Sequence, residues 1–259
     1  MKFEDSAPLI ALCLFAAMLL LLSLGRRLGT RRLAIDPEGA RAGASTVDGA
    51  VFAIMGLLIA FTFSGASTRF EARRALVVEE ANAIGTAWLR LDLLPSSAQP
   101  DLRERFRAYL DSRLEVYLHA EDMAAVNAAL AHSAGLQSGI WTAAVAACRE
   151  PGMQQATILL LPALNQMIDI TTARTMAALF HQPMLVFDAL FALALISSLL
   201  AGYGMAGSRK QSWVHMISFA AITTIAIFVI LDLEYPRRGL IRIDMYDQVL
   251  IDLRASIDR

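Results

Sequence analysis

The residues that could do chemistry in this chain of 259 residues are ionisable groups in or beside long apolar segments. Glu79 and Glu80 follow a charge-free run, and Asp188 and Asp232 lie within or at the edge of two other apolar runs. A charge inside a bilayer is costly enough to suggest a function. For the two glutamates, three hypotheses stay open: an ion pair with an arginine of a neighbouring helix, a ring of acids around a cation-selective conduit, or a solvated face. For the two aspartates, the hypotheses are a helix-end anchor and an ion or proton pathway.

A second group of polar residues, Asn165, Asp169 and Arg174, lies close together in one segment. Because buried polar groups must be paired, we predict that these three form a network that holds a helical domain together. Arg69 and Arg73 stand one helical turn apart just after the charge-free run. We include Arg69 and Arg73 with the acidic residues and the polar group above as candidate members of a network of ion pairs and hydrogen bonds.

The sequence gives little support for an enzyme. It contains no HExxH, no GxSxG, no Walker loop and no GxGxxG within a strand-and-helix unit, and His119, His132 and His181 show no ligand spacing. Cys13 lies in an apolar run and Cys148 in a polar segment, which argues against a disulfide, and neither belongs to a CxxC or Cys/His cluster. We therefore predict no catalytic activity, no metal and no cofactor. The net charge of −1 indicates no general attraction to nucleic acid.

Composition indicates which elements must position these residues. The chain is 56% hydrophobic with a mean hydropathy of +0.51, as expected of an integral membrane protein with a polar extramembrane part. About 20 apolar residues suffice to cross a bilayer. We predict transmembrane helices at 6–25, 49–68, 184–208 and 211–231, a polar connector at 26–48, a helical stalk domain at 69–183 and an amphipathic C-terminal tail at 232–259. The predicted fold is all-α: a multi-pass membrane protein with four transmembrane helices and an extramembrane helical domain between the second and third.

The second predicted span carries two stripes at four-residue spacing. Small residues, which let another helix approach closely, form the first stripe: Gly56, Ala60 and Ser64. The second stripe consists of Ala53, Leu57 and Phe61. Both stripes can be part of the core of a helix bundle. The alternative for the second stripe is that it lines a constriction formed by several copies of the chain.

Beyond the span, the chain continues without proline as a charged helix up to Leu94. Its apolar residues recur at alternating four- and three-residue spacing, which predicts a seam for helix packing. The seam consists of Phe70, Val77, Ala81, Ile84, Trp88 and Leu91.

The distribution of positive charge leaves the orientation in the membrane open. The two hairpin connectors together carry seven basic residues, and the opposite side also carries seven near the membrane. Short loops weigh more than large domains, which favours cytoplasmic hairpins. The side of the helical domain stays undecided on this basis.

Three segments resemble the bacterial bestrophin-like membrane proteins, a family of unknown function: FTFSGASTRFEARRALVVEEANAIGTAWLRLDLLP, LPALNQMIDITTARTMAALFHQP and DLEYPRRGLIRID. The resemblance covers most of the chain. A more distant likeness to bestrophins rests on the order of spans and on an F-x7-R pattern at Phe61 and Arg69. Bestrophins are pentameric anion channels with an apolar neck on the second span.

The resemblance implies a homo-oligomer, a pentamer, whose neck falls on Ala53, Leu57 and Phe61. It also implies a cytoplasmic stalk domain. Animal bestrophins carry an acidic calcium clasp after the fourth span, where this chain has only Asp232 and Glu234. We therefore expect no calcium gating.

From these features we expect an oligomeric bestrophin-like protein of the bacterial inner membrane that acts as an ion channel or pore, with the neck as a hydrophobic gate. Its expected partners are the lipid bilayer, further copies of itself and an inorganic ion, with no nucleic acid. The alternative is a non-conducting membrane scaffold or sensor whose helical domain binds a partner.

Overall fold

The computed structural model describes residues 7–36, 44–118, 123–207, 212–236, 240–241 and 244–257. Within these residues the regular structure is entirely helical, which confirms the all-α fold class. The α-helices there are α1 (Ala7–Ile35), α2 (Ala44–Arg90), α3 (Gln99–Leu118), α4 (Met123–Cys148), α5 (Gln154–Leu179), α6 (Met184–Gly204), α7 (Trp213–Glu234) and α8 (Asp244–Ile257). Parts of several predicted segments lie outside the described residues: 37–43 of the connector, 119–122 of the stalk domain, 237–239, 242–243 and 258–259 of the tail, and 6, 208 and 211 at the ends of predicted spans.

Among the described residues, four stretches are long and apolar enough to cross a membrane: Ala7–Ile35, Thr46–Leu93, Gln154–Gly204 and Trp213–Glu234. This confirms the predicted number of transmembrane helices. α1 has 29 residues and α2 has 47, which correspond to roughly 43 and 70 Å of helix against a hydrocarbon core of ~30 Å. α1 therefore continues through the first part of the predicted connector. Its arginines, leucines and alanines are good helix formers.

The described helices belong to two compact units. The first unit comprises residues 1–70 and 181–241, and so includes α1, the first part of α2, α6 and α7. The second comprises residues 71–180 and 242–259, and so includes the rest of α2, α3, α4, α5 and α8. α8, which lies within the predicted C-terminal tail, contributes Leu250 and Ile257 to the core of the second unit. Arg254 of α8 donates a hydrogen bond to Asp111 of α3 at 2.6 Å.

In the first unit, α1 packs on α6 through glycines. A Cβ atom at Gly25 would collide with the backbone oxygen of Leu199, and one at Gly202 would collide with the backbone oxygen of Leu22. The two backbones are therefore in direct contact, as small residues permit in membranes. Met18 and Leu22, on the same face of α1, are fully buried.

In the second unit, the charged half of α2 supplies the core with the predicted seam. Its members there are buried: Val77, Ala81, Ile84, Trp88 and Leu91. The Trp88 ring meets Phe106 of α3 edge-on, with 6.1 Å between ring centroids. The seam prediction is therefore confirmed for this unit, and Phe70 is buried in the first.

Candidate functional site

The predicted neck residues lie on a face of α2 that the described chain leaves uncovered. Leu57 is 56% exposed, Phe61 is 67% exposed, and Ala53 is exposed as well. Eight helical positions separate Ala53 from Phe61, which is about 12 Å along the axis. Gly56 lies on the same side and has open space where a Cβ would stand. Both stripes therefore lie on a side of the span that the other described helices of the first unit leave uncovered.

The opposite face of the same span is used for packing within the first unit. Met55, Thr62 and Ala66 are buried there. The Thr62 hydroxyl donates to the backbone oxygen of Leu58 at 2.7 Å, so its polar group is satisfied inside the helix. The face around Thr62 is therefore part of the helix-bundle core. The face that carries Ala53, Leu57 and Phe61 is available for contacts with molecules other than this chain.

Arg69, at the end of the charge-free run, is held by a buried acid. Its Nε donates to Glu234 Oε2 at 3.0 Å, and its Nη2 donates to the same oxygen at 2.7 Å. Nη2 also donates to Gln182 Oε1 at 2.5 Å. Glu234 is fully buried, whereas the Arg69 side chain is 31% exposed. The Arg69 charge is therefore committed to a specific ion pair.

Residues next to α6 complete the environment of Glu234. The backbone N–H of Gln182 donates to Glu234 Oε1 at 2.8 Å, and His181 Nδ1 lies 3.5 Å from that oxygen. The His181 ring stacks on Tyr235 with 4.7 Å between ring centroids. A buried carboxylate with this many donors is a structural anchor. Sequence reasoning named Glu234 only as a neighbour of Asp232 and missed the role of Gln182.

The two aspartates of the later spans have different surroundings. Asp232 is buried, and its two carboxylate oxygens accept the backbone N–H groups of Leu240 and Ile241, both at 2.8 Å. Its contacts fit the helix-end anchor, because they fix the chain that follows α7. Asp188, near the start of α6, is exposed.

Arg73, one turn after Arg69, is buried in the second unit and binds the end of α5. Its Nε donates to the backbone oxygen of Ala177, and its Nη2 donates to that of Phe180, both at 2.9 Å. The last carbonyls of a helix lack partners within the helix, and a cation there also interacts favourably with the helix dipole. Arg73 therefore caps α5.

Glu80 is fully buried in the second unit between two arginines. Arg113 Nε of α3 donates to Glu80 Oε1 at 2.5 Å, and Arg174 Nη1 of α5 donates to Oε2. Burial by itself raises the pKa of Glu80, but the charges and hydrogen bonds of the two arginines outweigh it and hold the pKa below its usual range. Glu79, its neighbour in the sequence, is exposed. The geometry thus makes Glu80 an ion-pair partner and leaves Glu79 on the surface of the single chain.

The predicted network around Arg174 requires a correction. Arg174 is buried against Glu80, but Asn165 and Asp169 are exposed on α5. Five helical positions separate Asp169 from Arg174, and at about 100° per residue the two side chains lie roughly 140° apart around the helix. Proximity in the sequence therefore did not bring these side chains onto one face.

A buried polar network that the sequence did not reveal lies beside Glu80. Gln137 Nε2 donates to the Tyr109 hydroxyl at 3.1 Å and to the Thr171 hydroxyl at 3.0 Å, and these hydroxyls are themselves 3.0 Å apart. Burial raises the pKa of the Tyr109 phenol, and the nearby Glu80 charge raises it further. One turn before Gln137 in α4, the Ser133 hydroxyl lies 2.7 Å from the Ser112 hydroxyl, so polar contacts continue along the buried face of a helix without formal charge.

The described residues contain no group of three or more His, Cys, Asp or Glu side chains placed to hold a metal ion. The buried carboxylates of Glu80, Asp232 and Glu234 instead accept hydrogen bonds from protein groups.

Comparison with known proteins adds a family and a fold. A family model described as "Bestrophin-like domain" matches residues 12–245. The search of curated proteins found no match.

Crystal structures of a bacterial bestrophin homologue from Klebsiella pneumoniae share the fold. One single-substitution variant has a TM-score of 0.70 at 15% identity, with 95% of this chain and 98% of that chain covered. A second variant has a TM-score of 0.71 at 15% identity, with 94% and 98% covered. A crystal structure of a membrane protein variant has a TM-score of 0.63 at 15% identity, with 93% and 98% covered. At such low identity these likenesses show the fold.

Proposed function

The chain belongs to the bestrophin-like family, and on that premise we propose that several copies assemble around a central axis to form an ion channel. The constriction of this channel is an apolar neck built from Ala53, Leu57 and Phe61 of each α2. The assembly is a homo-oligomer, a pentamer by family resemblance, in the bacterial inner membrane. It carries out passive ion flow and catalyses no reaction.

The exposed face of α2 is the observation that carries this proposal. Leu57 and Phe61 are more than half exposed, although the opposite face of the same helix is buried in the first unit. A bulky apolar pair on an uncovered face can meet lipid, another copy or a pore axis. Spacing by four residues places one side chain from each turn on the same line along the helix, as a stack of rings requires.

The neck works by opposing wetting. In a narrow collar of apolar side chains, water gains few hydrogen bonds, so the collar stays dry and ions do not enter. When the helices move apart, the collar fills with water and ions follow. Across about 12 Å, the three rings provide an energetic barrier without needing to block the passage sterically.

The charges that follow the neck along α2 support a gate that does not bind ions. Arg69 is paired with Glu234, and Glu80 is paired with Arg113 and Arg174. These groups are therefore engaged in protein contacts. Bestrophin channels conduct anions, so chloride is the first ion to test, with potassium as the cation for comparison.

Flux from vesicles tests the proposal with the full chain. Purified protein is reconstituted into lipid vesicles, and the release of chloride or potassium is compared for the wild type, Leu57→Ala, Phe61→Ala and Phe63→Ala. We expect the first two variants to release ions faster, because a smaller apolar side chain widens the collar. Phe63 is a matched control, since it lies on the same helix about 200° from Phe61.

Two outcomes contradict the proposal. If a conducting wild type is unaffected by Leu57→Ala and Phe61→Ala, the neck lies elsewhere. If neither the wild type nor the variants exceed protein-free vesicles, and single-particle imaging shows a closed, filled axis, the protein is a non-conducting scaffold or sensor whose helical domain binds a partner.

A further inference from the structure

α1 carries a cluster of arginines where it leaves the hydrocarbon core. Its charge-free part, Ala7–Gly25, is about 28 Å long, which matches the thickness of that core. The helix then continues to Ile35. This extension contains Arg26, Arg27, Arg31 and Arg32 and no acidic residue. The headgroup region adds about 6 Å on each side of the core, so the extension begins at the depth of the lipid phosphates.

Two of these arginines share a face with exposed leucines. Arg27 and Arg31 are exposed and stand one turn apart, so their side chains project on the same side. Leu20, Leu24 and Leu28 lie on that side too, at 71%, 46% and 43% exposure. We call these five residues the basic stripe. It is apolar towards the membrane interior and cationic at the membrane boundary.

Packing in the first unit fixes the direction of the basic stripe. Gly25 and Gly29, on the other side of α1, lie directly against the end of α6, where a Cβ at Gly29 would meet the Tyr203 backbone oxygen and the Ala206 side chain. The stripe therefore faces away from α6. Arg32 lies off the stripe and pairs with Asp36 at 3.6 Å.

We propose that the basic stripe is a binding site for anionic phospholipids of the surrounding bilayer. The guanidinium groups of Arg27 and Arg31 hold the lipid phosphate, since arginine presents donors in a fork that fits phosphate. The acyl chains lie along Leu20 and Leu24. A net negative headgroup complements the stripe, whereas the cation of a zwitterionic headgroup offsets the attraction.

Native mass spectrometry of the full-length protein in detergent tests this site by counting bound lipids. Phosphatidylglycerol and phosphatidylcholine with identical acyl chains are titrated into the wild type and into Arg27→Gln/Arg31→Gln. A basic residue at an anionic surface contributes about fivefold in affinity, so the double variant should bind phosphatidylglycerol roughly thirtyfold more weakly. Phosphatidylcholine binding should be nearly unchanged.

Two further variants separate the site from general effects. Arg105→Gln/Arg149→Gln removes the same charge from the second unit and should retain phosphatidylglycerol like the wild type. Arg27→Lys/Arg31→Lys keeps the charge and the helix propensity, so it should keep the preference for phosphatidylglycerol with reduced affinity. Raising the salt concentration should weaken the preference of the wild type.

The proposal is overturned if the wild type binds the two lipids equally, if the lysine variant shows no preference, or if Arg105→Gln/Arg149→Gln loses as much as Arg27→Gln/Arg31→Gln. It is also overturned if Arg27→Gln/Arg31→Gln keeps its bound lipid but changes its oligomeric mass, because the face would then be a contact between copies. None of these results depends on whether the protein conducts ions.

Discussion

Arg69 and Glu234 lie 165 positions apart in the sequence, yet two guanidinium nitrogens of Arg69 donate to one oxygen of Glu234 at 3.0 and 2.7 Å. The pair joins α2 to the end of α7 within the first unit. Glu234 is fully buried, so its charge depends on these donors and on the Gln182 N–H. Removal of one partner from such a pair leaves an uncompensated buried charge.

Arg69→Ala should therefore destabilise the protein strongly, by about 3–5 kcal/mol. Thermal unfolding in detergent would show this as a large fall in Tm. Glu71→Ala is the matched control, because it removes one half of the exposed Glu71–Arg74 pair and should cost at most ~1 kcal/mol. Arg69→Ala/Glu234→Ala should be milder than the sum of its single changes. Equal Tm values for Arg69→Ala and Glu71→Ala would contradict the structural role of the pair.

The contact between α1 and α6 should be sensitive to a single methyl group. Gly25→Ala places a Cβ against the backbone of Leu199, which can yield only if the helices separate. We expect a loss of roughly 1–3 kcal/mol, the usual cost of overpacking, seen as a lower Tm. Gly49→Ala, where a Cβ meets open space, should leave Tm unchanged or raise it slightly because alanine favours helix. A Gly25→Ala protein as stable as Gly49→Ala would show that the two helices are further apart.

The seam of α2 could be predicted from sequence because helical periodicity is a local property. The spacing of Val77, Ile84 and Trp88 fixes a common face whatever that face contacts. The same reasoning placed Ala53, Leu57 and Phe61 on one line. It did not reveal that this line is uncovered in a single chain, because exposure depends on where the other helices pack.

Partners distant in the sequence could not be predicted from one chain. Nothing near Glu80 in the sequence points to Arg113 and Arg174, and the partner of Arg69 lies in another span. Conversely, Asp169 and Arg174 are close in the sequence, but Asp169 is exposed and Arg174 is buried. At about 100° per residue, a separation of five positions places these two side chains on different faces of the helix.

Glu80 should make the protein sensitive to acid. Because the folded-state pKa lies below its ordinary value of 4.5, the unfolded chain binds a proton more readily. The stability that Glu80 contributes is therefore complete above about pH 4.5 and is lost as pH falls through the folded-state pKa. Tryptophan fluorescence, which Trp88 and Trp141 report from the second unit, can follow unfolding against pH.

Glu80→Gln should be less stable at pH 7, because a neutral amide does not balance two buried arginines, and its stability should vary less below pH 4.5. Glu79→Gln is the matched control, since Glu79 is adjacent but exposed, and its pH profile should follow the wild type. Identical acid profiles for Glu80→Gln and the wild type would show that other carboxylates account for the acid sensitivity.

Opposite changes in side-chain volume at the neck should change ion flux in opposite directions. Leu57→Ala removes apolar bulk and should raise flux, whereas Ala53→Leu adds bulk to the first ring and should lower it. A change of about 1.4 kcal/mol in the wetting barrier corresponds to a tenfold change in rate, so vesicle flux assays can resolve either effect. Misfolding alone would lower flux in both variants. A rise for Leu57→Ala together with a fall for Ala53→Leu therefore indicates a gate. A folded Leu57→Ala protein, judged by a cooperative thermal transition, whose flux does not rise would contradict it.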